Sequence, residues 1–143
     1  MKKINLFVYG SLREGFFNYD KYLAGKVVEK KDASLENMRL YHMPYKGYPA
    51  ITPGNDKVLG EIMVINEEEY DETVKDMDEM EGFISENNPE NEYHKIVLEV
   101  KNLQTNEKEK CFVYFYNKDK DKVFDSESVY IPNGDWKEYM LTK

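Results

Sequence analysis

One carboxylate in this chain lies where an ordinary amphipathic helix would place an apolar side chain. Tyr70, Val74, Met77 and Glu81 follow one another at spacings of 4, 3 and 4, just ahead of Gly82. At helical pitch these positions fall within about 40° of each other. Glu81 therefore extends the apolar stripe and stands apart from the acidic face formed by its neighbours. An acid on a buried face either finds a partner or holds its proton to higher pH. The negative end of the helix dipole pushes the same way. A carboxyl tuned like this can take up and return a proton near neutral pH.

A second candidate is the segment Tyr9-Gly10-Ser11-Leu12-Arg13-Glu14-Gly15. It follows an apolar run that reads as a buried strand. A strand ending in Gly-Ser offers backbone N–H groups to an anion or oxyanion, and Gly10 lets a ligand approach without a Cβ in the way. The segment lacks the Gly-Lys-Ser/Thr of a Walker loop.

The elements that carry these residues are read from periodicity and punctuation. Residues 4–9 form a buried strand. Residues 16–23 suit a short helix, with Asn18 at its N-cap and Gly25 after its end. Residues 33–41 and 58–65 read as strands, the latter central. Residues 43–55 hold Pro44, Pro49, Pro53, Gly47 and Gly54 and read as loop. Asn66 and Glu69 have capping-box spacing for the helix that Gly82 ends. Residues 84–92 are polar loop. Residues 93–100 and 110–116 pair as strands through a turn at 102–109. Residues 117–122 form a charged loop, and 130–136 an extended edge. Helices that do not alternate with about six strands imply an α+β fold, a mixed sheet curling into a small β-barrel with flanking helices.

The length of 143 residues suits a single domain spanning 1–143, and an apolar share of 41% supplies a core. Twelve tyrosines suit a cavity that is half apolar and half polar. The net charge of −8 argues against nucleic acid and anionic membranes as partners. The single cysteine, Cys111, makes no internal disulfide and reads as structural, which fits a reducing, cytoplasmic location. Lys2 and Lys3 precede an apolar run too short for a signal peptide, and no stretch approaches the ~20 apolar residues of a membrane span.

Other chemistries lack their signatures. His42 and His94 stand far apart with no metal-ligand spacing. Asn117, Asp119 and Asp121 open like a calcium loop, but the sixth position is Lys122 and the twelfth Ser128. Ser11 has no nucleophile-elbow frame. No metal or cofactor is expected.

Taken together, Phe7-Val8-Tyr9-Gly10-Ser11-Leu12-Arg13 with Gly15 and Asn18, then Tyr48-Pro49-Ala50-Ile51, Val58-Leu59-Gly60-Glu61-Ile62 and Met77-Asp78-Glu79-Met80-Glu81-Gly82 form an ordered set. Tyr93, Val113-Tyr114 and Ile131-Pro132-Asn133-Gly134-Asp135-Trp136 complete it. The set resembles the γ-glutamylcyclotransferase family, which includes the AIG2-like and YtfP-like proteins. The resemblance implies a small mixed barrel with a cavity at one end. It implies that Tyr9, Gly10, Ser11 and Leu12 hold the γ-glutamyl part of a small-molecule substrate, and that Glu81 is the general acid/base. Tyr9 would wall the cavity, and the Tyr114 hydroxyl would orient Glu81 or the substrate. The substrate's own α-amine would attack its γ-carbonyl, giving 5-oxoproline and a free amine without a protein nucleophile or a metal.

Three departures stand out. Lys95 occupies the place of a frequent family Arg and is a poorer fork for a carboxylate. Met77 replaces a more usual Leu, and residues 85–92 are an insertion near the cavity mouth. Two rival readings follow: a module that binds a small carboxylate or amine without turning it over, and a hydrolase pairing Asp78 with Glu81. Helical phase puts Asp78 about 60° off the stripe, which favours a solvated role.

Overall fold

Alternation along the first strand organises the interior. In the computed structural model, which describes residues 4–142, β1 spans Asn5–Val8. The Lys2-Lys3 pair lies outside the described residues. Leu6 and Val8 join an apolar cluster with Val74 and Met77, while Phe7 and Tyr9 join a second with Ile62, Val113 and Trp136. Period-two alternation sends successive side chains to opposite faces, so β1 is buried on both.

The sheet closes on itself. β2 (Val27–Met43), β3 (Tyr48–Ile65), β4 (Tyr93–Asn102), β5 (Lys108–Tyr116) and β6 (Val129–Ile131) run in the order β3-β1-β5-β4-β2-β6, and β3 also pairs with β2. Five strands thus make a closed mixed barrel, with β6 added beside the far end of β2. The β1–β5 pair is parallel and the rest antiparallel. Closure gives each of those five strands a partner on both sides along part of its length, and the end of β3 that holds Pro49 and Pro53 keeps one free edge.

The proline-rich stretch is a correction to the sequence reading. Only the tight turn before Tyr48 is loop; Pro49 and Pro53 lie within β3, opposite His42 and Met38 of β2. This end of β3 pairs with β2 on one side, whereas β1 reaches only residues 61–63. A proline that donates no N–H is tolerated on such an edge. A register shift between Glu36 and Met38, with Asn37 at a φ of 64°, sits beside Pro53.

The helical segments also differ from expectation. Asn66 caps a 3₁₀ turn, Glu67–Glu69, by accepting from the Glu68 N–H, and α1 itself runs Tyr70–Met80. The short helix expected over residues 16–23 is present over 17–23, with Tyr19–Leu23 wound as a π-helix, and Asn18 lies within it and does not cap it. Residues 118–120 form one 3₁₀ turn inside the charged loop. The expected extended edge holds only β6; after a turn the chain enters α3 (Trp136–Leu141), and a one-turn α2 (Phe124–Glu127) precedes β6. Asp135 caps α3 by accepting from the Glu138 N–H at 3.0 Å. Pro132 and Gly134 had masked this start.

Trp136 anchors that end of the molecule. It is buried, and its indole N–H donates to His42 Nδ1 at 3.1 Å. Trp136→Phe removes this donor and some packing, at an expected cost of about 1–3 kcal/mol. The urea unfolding midpoint should fall with an unchanged slope.

Candidate active site

Glu81 is fixed by its backbone. Helix α1 ends in a Schellman motif: the Phe83 N–H donates to the Asp78 carbonyl at 2.9 Å, and the Gly82 N–H to that of Glu79 at 3.2 Å. Gly82 has a φ of 71°, which is why glycine stands there. The Glu81 N–H donates to the Met77 carbonyl at 2.8 Å, and its own carbonyl accepts from the Tyr93 N–H at 3.2 Å. The residue is thereby pinned between the helix end and the start of β4.

Its side chain enters a cavity of about 90 Å³ at the C-terminal end of β1. Tyr9, Gly10, Ser11, Leu12 and Tyr114 line the same cavity, so all six residues singled out in the sequence meet there. Met80, Glu92, Tyr93 and the Tyr48-Pro49 pair join them. Among the described residues no group donates a hydrogen bond to the Glu81 carboxylate. Desolvation, then the negative charges of Glu92 and Asp78, push its pKa up to about 8.

The turn after β1 is held from behind. The Arg13 N–H closes it onto the Gly10 carbonyl at 2.9 Å, and the Ser11 carbonyl accepts from the Tyr19 N–H at 3.1 Å. Asn18 donates to Ser11 Oγ at 2.7 Å, a positioning role in place of the expected cap. The Arg13 guanidinium meets Asp135 at 3.2 Å and buried Glu61 at 3.5 Å, and Glu61 also accepts from the Glu14 N–H. Within the described residues the N–H groups of Gly10, Ser11 and Leu12 donate to no protein acceptor. A Cβ on Gly10 would stand 2.4 Å from Pro49 Cγ, so glycine is what lets the turn pack against β3 at Pro49.

Tyrosines frame the site. The Tyr9 hydroxyl donates to the Tyr114 carbonyl at 2.6 Å, and that of Tyr93 to the Pro49 carbonyl at 2.7 Å. Burial raises the pKa of both phenols, with Glu81 a further contributor. The Tyr114 hydroxyl donates to Asp78 at 2.5 Å and leaves Glu81 free of that bond. Asp78 also holds Lys95 at 2.9 Å. One expectation changes accordingly, and the place of Lys95 becomes clear. Asp78 is half-buried and doubly engaged, not a solvated acid. Lys95 serves Asp78 and does not line the cavity.

Elsewhere, Asp121 of the calcium-like segment accepts from the hydroxyls of Tyr45 and Tyr116. No group of three His, Cys, Asp or Glu side chains that could hold a metal occurs among the described residues. Cys111 is buried, and burial together with Glu109 pushes its thiol up to about 12, consistent with a packing role.

This arrangement of turn, acid and closed barrel can be set beside known proteins. The family model described as "Gamma-glutamyl cyclotransferase, AIG2-like" matches residues 6–138. The chain belongs to the AIG2-like γ-glutamyl cyclotransferase family. One relative of this family, the γ-L-glutamyl-butirosin B γ-glutamyl cyclotransferase of Niallia circulans, is 30% identical over 137 residues, covering 96% of this chain and 78% of its own. Protein PH0828 of Pyrococcus horikoshii superposes with a TM-score of 0.61 at 23% identity, over 98% of this chain and 95% of that one. YtfP of Escherichia coli does so with 0.60 at 22% identity, over 96% and 99%. These two structures share the γ-glutamyl cyclotransferase fold, and the family and the Niallia relative support cyclotransferase activity in general. No helix among the described residues is long and apolar enough to cross a membrane.

Sequence reasoning passed over four of the site's residues. Tyr48 and Pro49 sat in a stretch read as loop. Tyr93 was part of the family pattern without a role, and Glu92 closed an insertion with no periodic signal.

The raised pKa of Glu81 makes a stability prediction. A free glutamate carboxyl titrates near 4.5 and the native one near 8. Between those values the folded state binds one more proton than the unfolded, so stability declines as pH rises through that window and levels off above it. Glu81→Gln does not titrate. Its melting temperature relative to the native chain should therefore climb from pH 4.5 to 8 and then stay constant, as read by calorimetry.

Proposed function

We propose that this protein is a γ-glutamylcyclotransferase that converts a γ-glutamyl amine or γ-glutamyl amino acid to 5-oxoproline and the free amine. Glu81 acts as its general acid/base. The observation that carries this reading is a carboxyl without a hydrogen-bond donor, in one cavity with an open backbone turn. The named activity of the Niallia relative, a γ-glutamyl cyclotransferase, supports the same reaction type.

The reaction needs no protein nucleophile. The substrate's α-amine attacks its own γ-carbonyl carbon; that C–N bond forms while the bond to the departing amine breaks. The protein has three tasks. The first is to fold the glutamyl chain so that amine and carbonyl meet, which converts an improbable encounter into a positioned one. The cavity walled by Tyr9 and Tyr93 lies between Glu81 and the turn after β1, where amine and carbonyl would meet. The second is to stabilise the carbonyl oxygen as it gains charge, for which the N–H groups of Gly10, Ser11 and Leu12 are the donors. The third is proton transfer. On becoming the lactam nitrogen the α-ammonium loses two protons; Glu81 takes each in turn and passes it to the departing nitrogen, which leaves as an ammonium.

A pKa near 8 suits both halves of that transfer. At neutral pH about one molecule in ten carries the ionised base, and the acid form is strong enough to protonate an amine as it leaves. Asp78 does not compete, since Tyr114 and Lys95 occupy its oxygens.

Glu81→Gln keeps the shape of the site and removes the proton carrier. It should bind a γ-glutamyl substrate and release 5-oxoproline about 10²-fold more slowly or worse. A panel of γ-glutamyl compounds, with 5-oxoproline detected by mass spectrometry, checks this. Near-native turnover in the variant ends the assignment, and binding by the native chain without product points instead to a ligand-binding module.

A further inference from the structure

Glu92 is the second carboxylate that lines the cavity. Its backbone stands one rung from Glu81: the Glu92 N–H donates to the Gly82 carbonyl at 3.0 Å, and the next residue, Tyr93, donates to Glu81 itself. The Glu92 carbonyl accepts from the Asn117 N–H at 3.0 Å, so the residue is tied on both sides. The approach depends on Gly82, where a Cβ would stand 2.8 Å from Glu92 Cβ. One glycine thus ends α1 and admits the second acid beside the first.

The Glu92 side chain is itself anchored. Its Oε2 accepts from Lys46 Nζ at 2.7 Å, and that ammonium lies 5.7 Å from the centre of the Tyr116 ring. Lys46 comes from the tight turn between β2 and β3. Glu92 lines the cavity and Lys46 does not, so the cavity faces the carboxylate with the cation behind it. Glu92 also borders an outer cleft with Lys46, Tyr45 and Tyr116, which puts the ion pair at the partition between the two spaces.

We propose that Glu92 is a positioning residue for the reaction: acting through Glu81 and held by Lys46, it sets the charge state in which that acid meets substrate. The inference rests on the acid/base role of Glu81. Asp78 acts on Glu81 in the same direction as Glu92 but contributes less. Asp78 of α1 is bonded to Tyr114 of β5 and to Lys95 of β4. The phenols of Tyr9 and Tyr93 are neutral, their protons held to high pH by burial. A like charge close to an acid favours its protonated form, and a cation beside that like charge weakens the effect. Glu92 and Lys46 therefore act on Glu81 with opposite signs.

Opposite signs make the test decisive. In protein carrying ¹³C-carboxyl glutamate, the Glu81 resonance, assigned by its loss in Glu81→Gln, is titrated in the native chain, in Glu92→Gln and in Lys46→Met. The midpoint should fall by about one pH unit in Glu92→Gln and rise by about half a unit in Lys46→Met. The acid limb of 5-oxoproline release should move the same way in each. An unmoved midpoint in both variants overturns the proposal, as does a shift of the same sign in both, which would report altered packing. The titration reads the Glu81 proton directly. A failure here leaves the catalytic assignment standing, and a catalytically normal Glu81→Gln would sink that assignment without touching this result.

Discussion

A carboxyl group kept in a cavity without a hydrogen-bond donor is costly, and much of this structure serves to keep it there. Left to itself, a glutamate at a helix end would rotate into water or find a lysine. Here the Schellman turn fixes the backbone of Glu81, and the rung to Tyr93 locks it to the barrel. The neighbouring cation that could neutralise it, Lys95, is committed to Asp78. The acid therefore meets its desolvation by holding a proton, which is the state a proton carrier requires.

The opposite wall is built by different physics. The turn after β1 must present unbonded N–H groups, which ordinary loops avoid. Its fixed points lie on its outer side: Asn18 on Ser11, Tyr19 on the Ser11 carbonyl, and Arg13 reaching to Glu61 and Asp135. Asp135 also caps α3, whose Trp136 packs against Phe16 and His42. The C-terminal helix thus bears on the turn after β1 without touching the cavity. Barrel closure brings the two walls together, because β1 lies between β3 and β5 and delivers the turn opposite the end of α1.

What the sequence made legible was local. The phase of Glu81 on the α1 stripe, the stop at Gly82 and the break at Gly10 depend on neighbours within one or two turns of chain, and the barrel class followed from strand punctuation. What escaped was set at long range. Pro49 and Pro53 read as loop because their tolerance depends on which edge of β3 is unpaired. Asn18 looked like a cap because its real partner, the Ser11 side chain, follows from tertiary folding. Tyr114 and Lys95 both turn to Asp78, across 36 and 17 positions of sequence. Glu92 sat in a polar insertion where no period marks one acid from another.

The central claim is that Glu81 carries a proton at neutral pH inside the cavity of the folded chain. The most direct measurement is the carboxyl titration of native Glu81 by ¹³C NMR. A midpoint near 8 is the predicted result; a midpoint near 4.5, the value of a solvated glutamate, would contradict it.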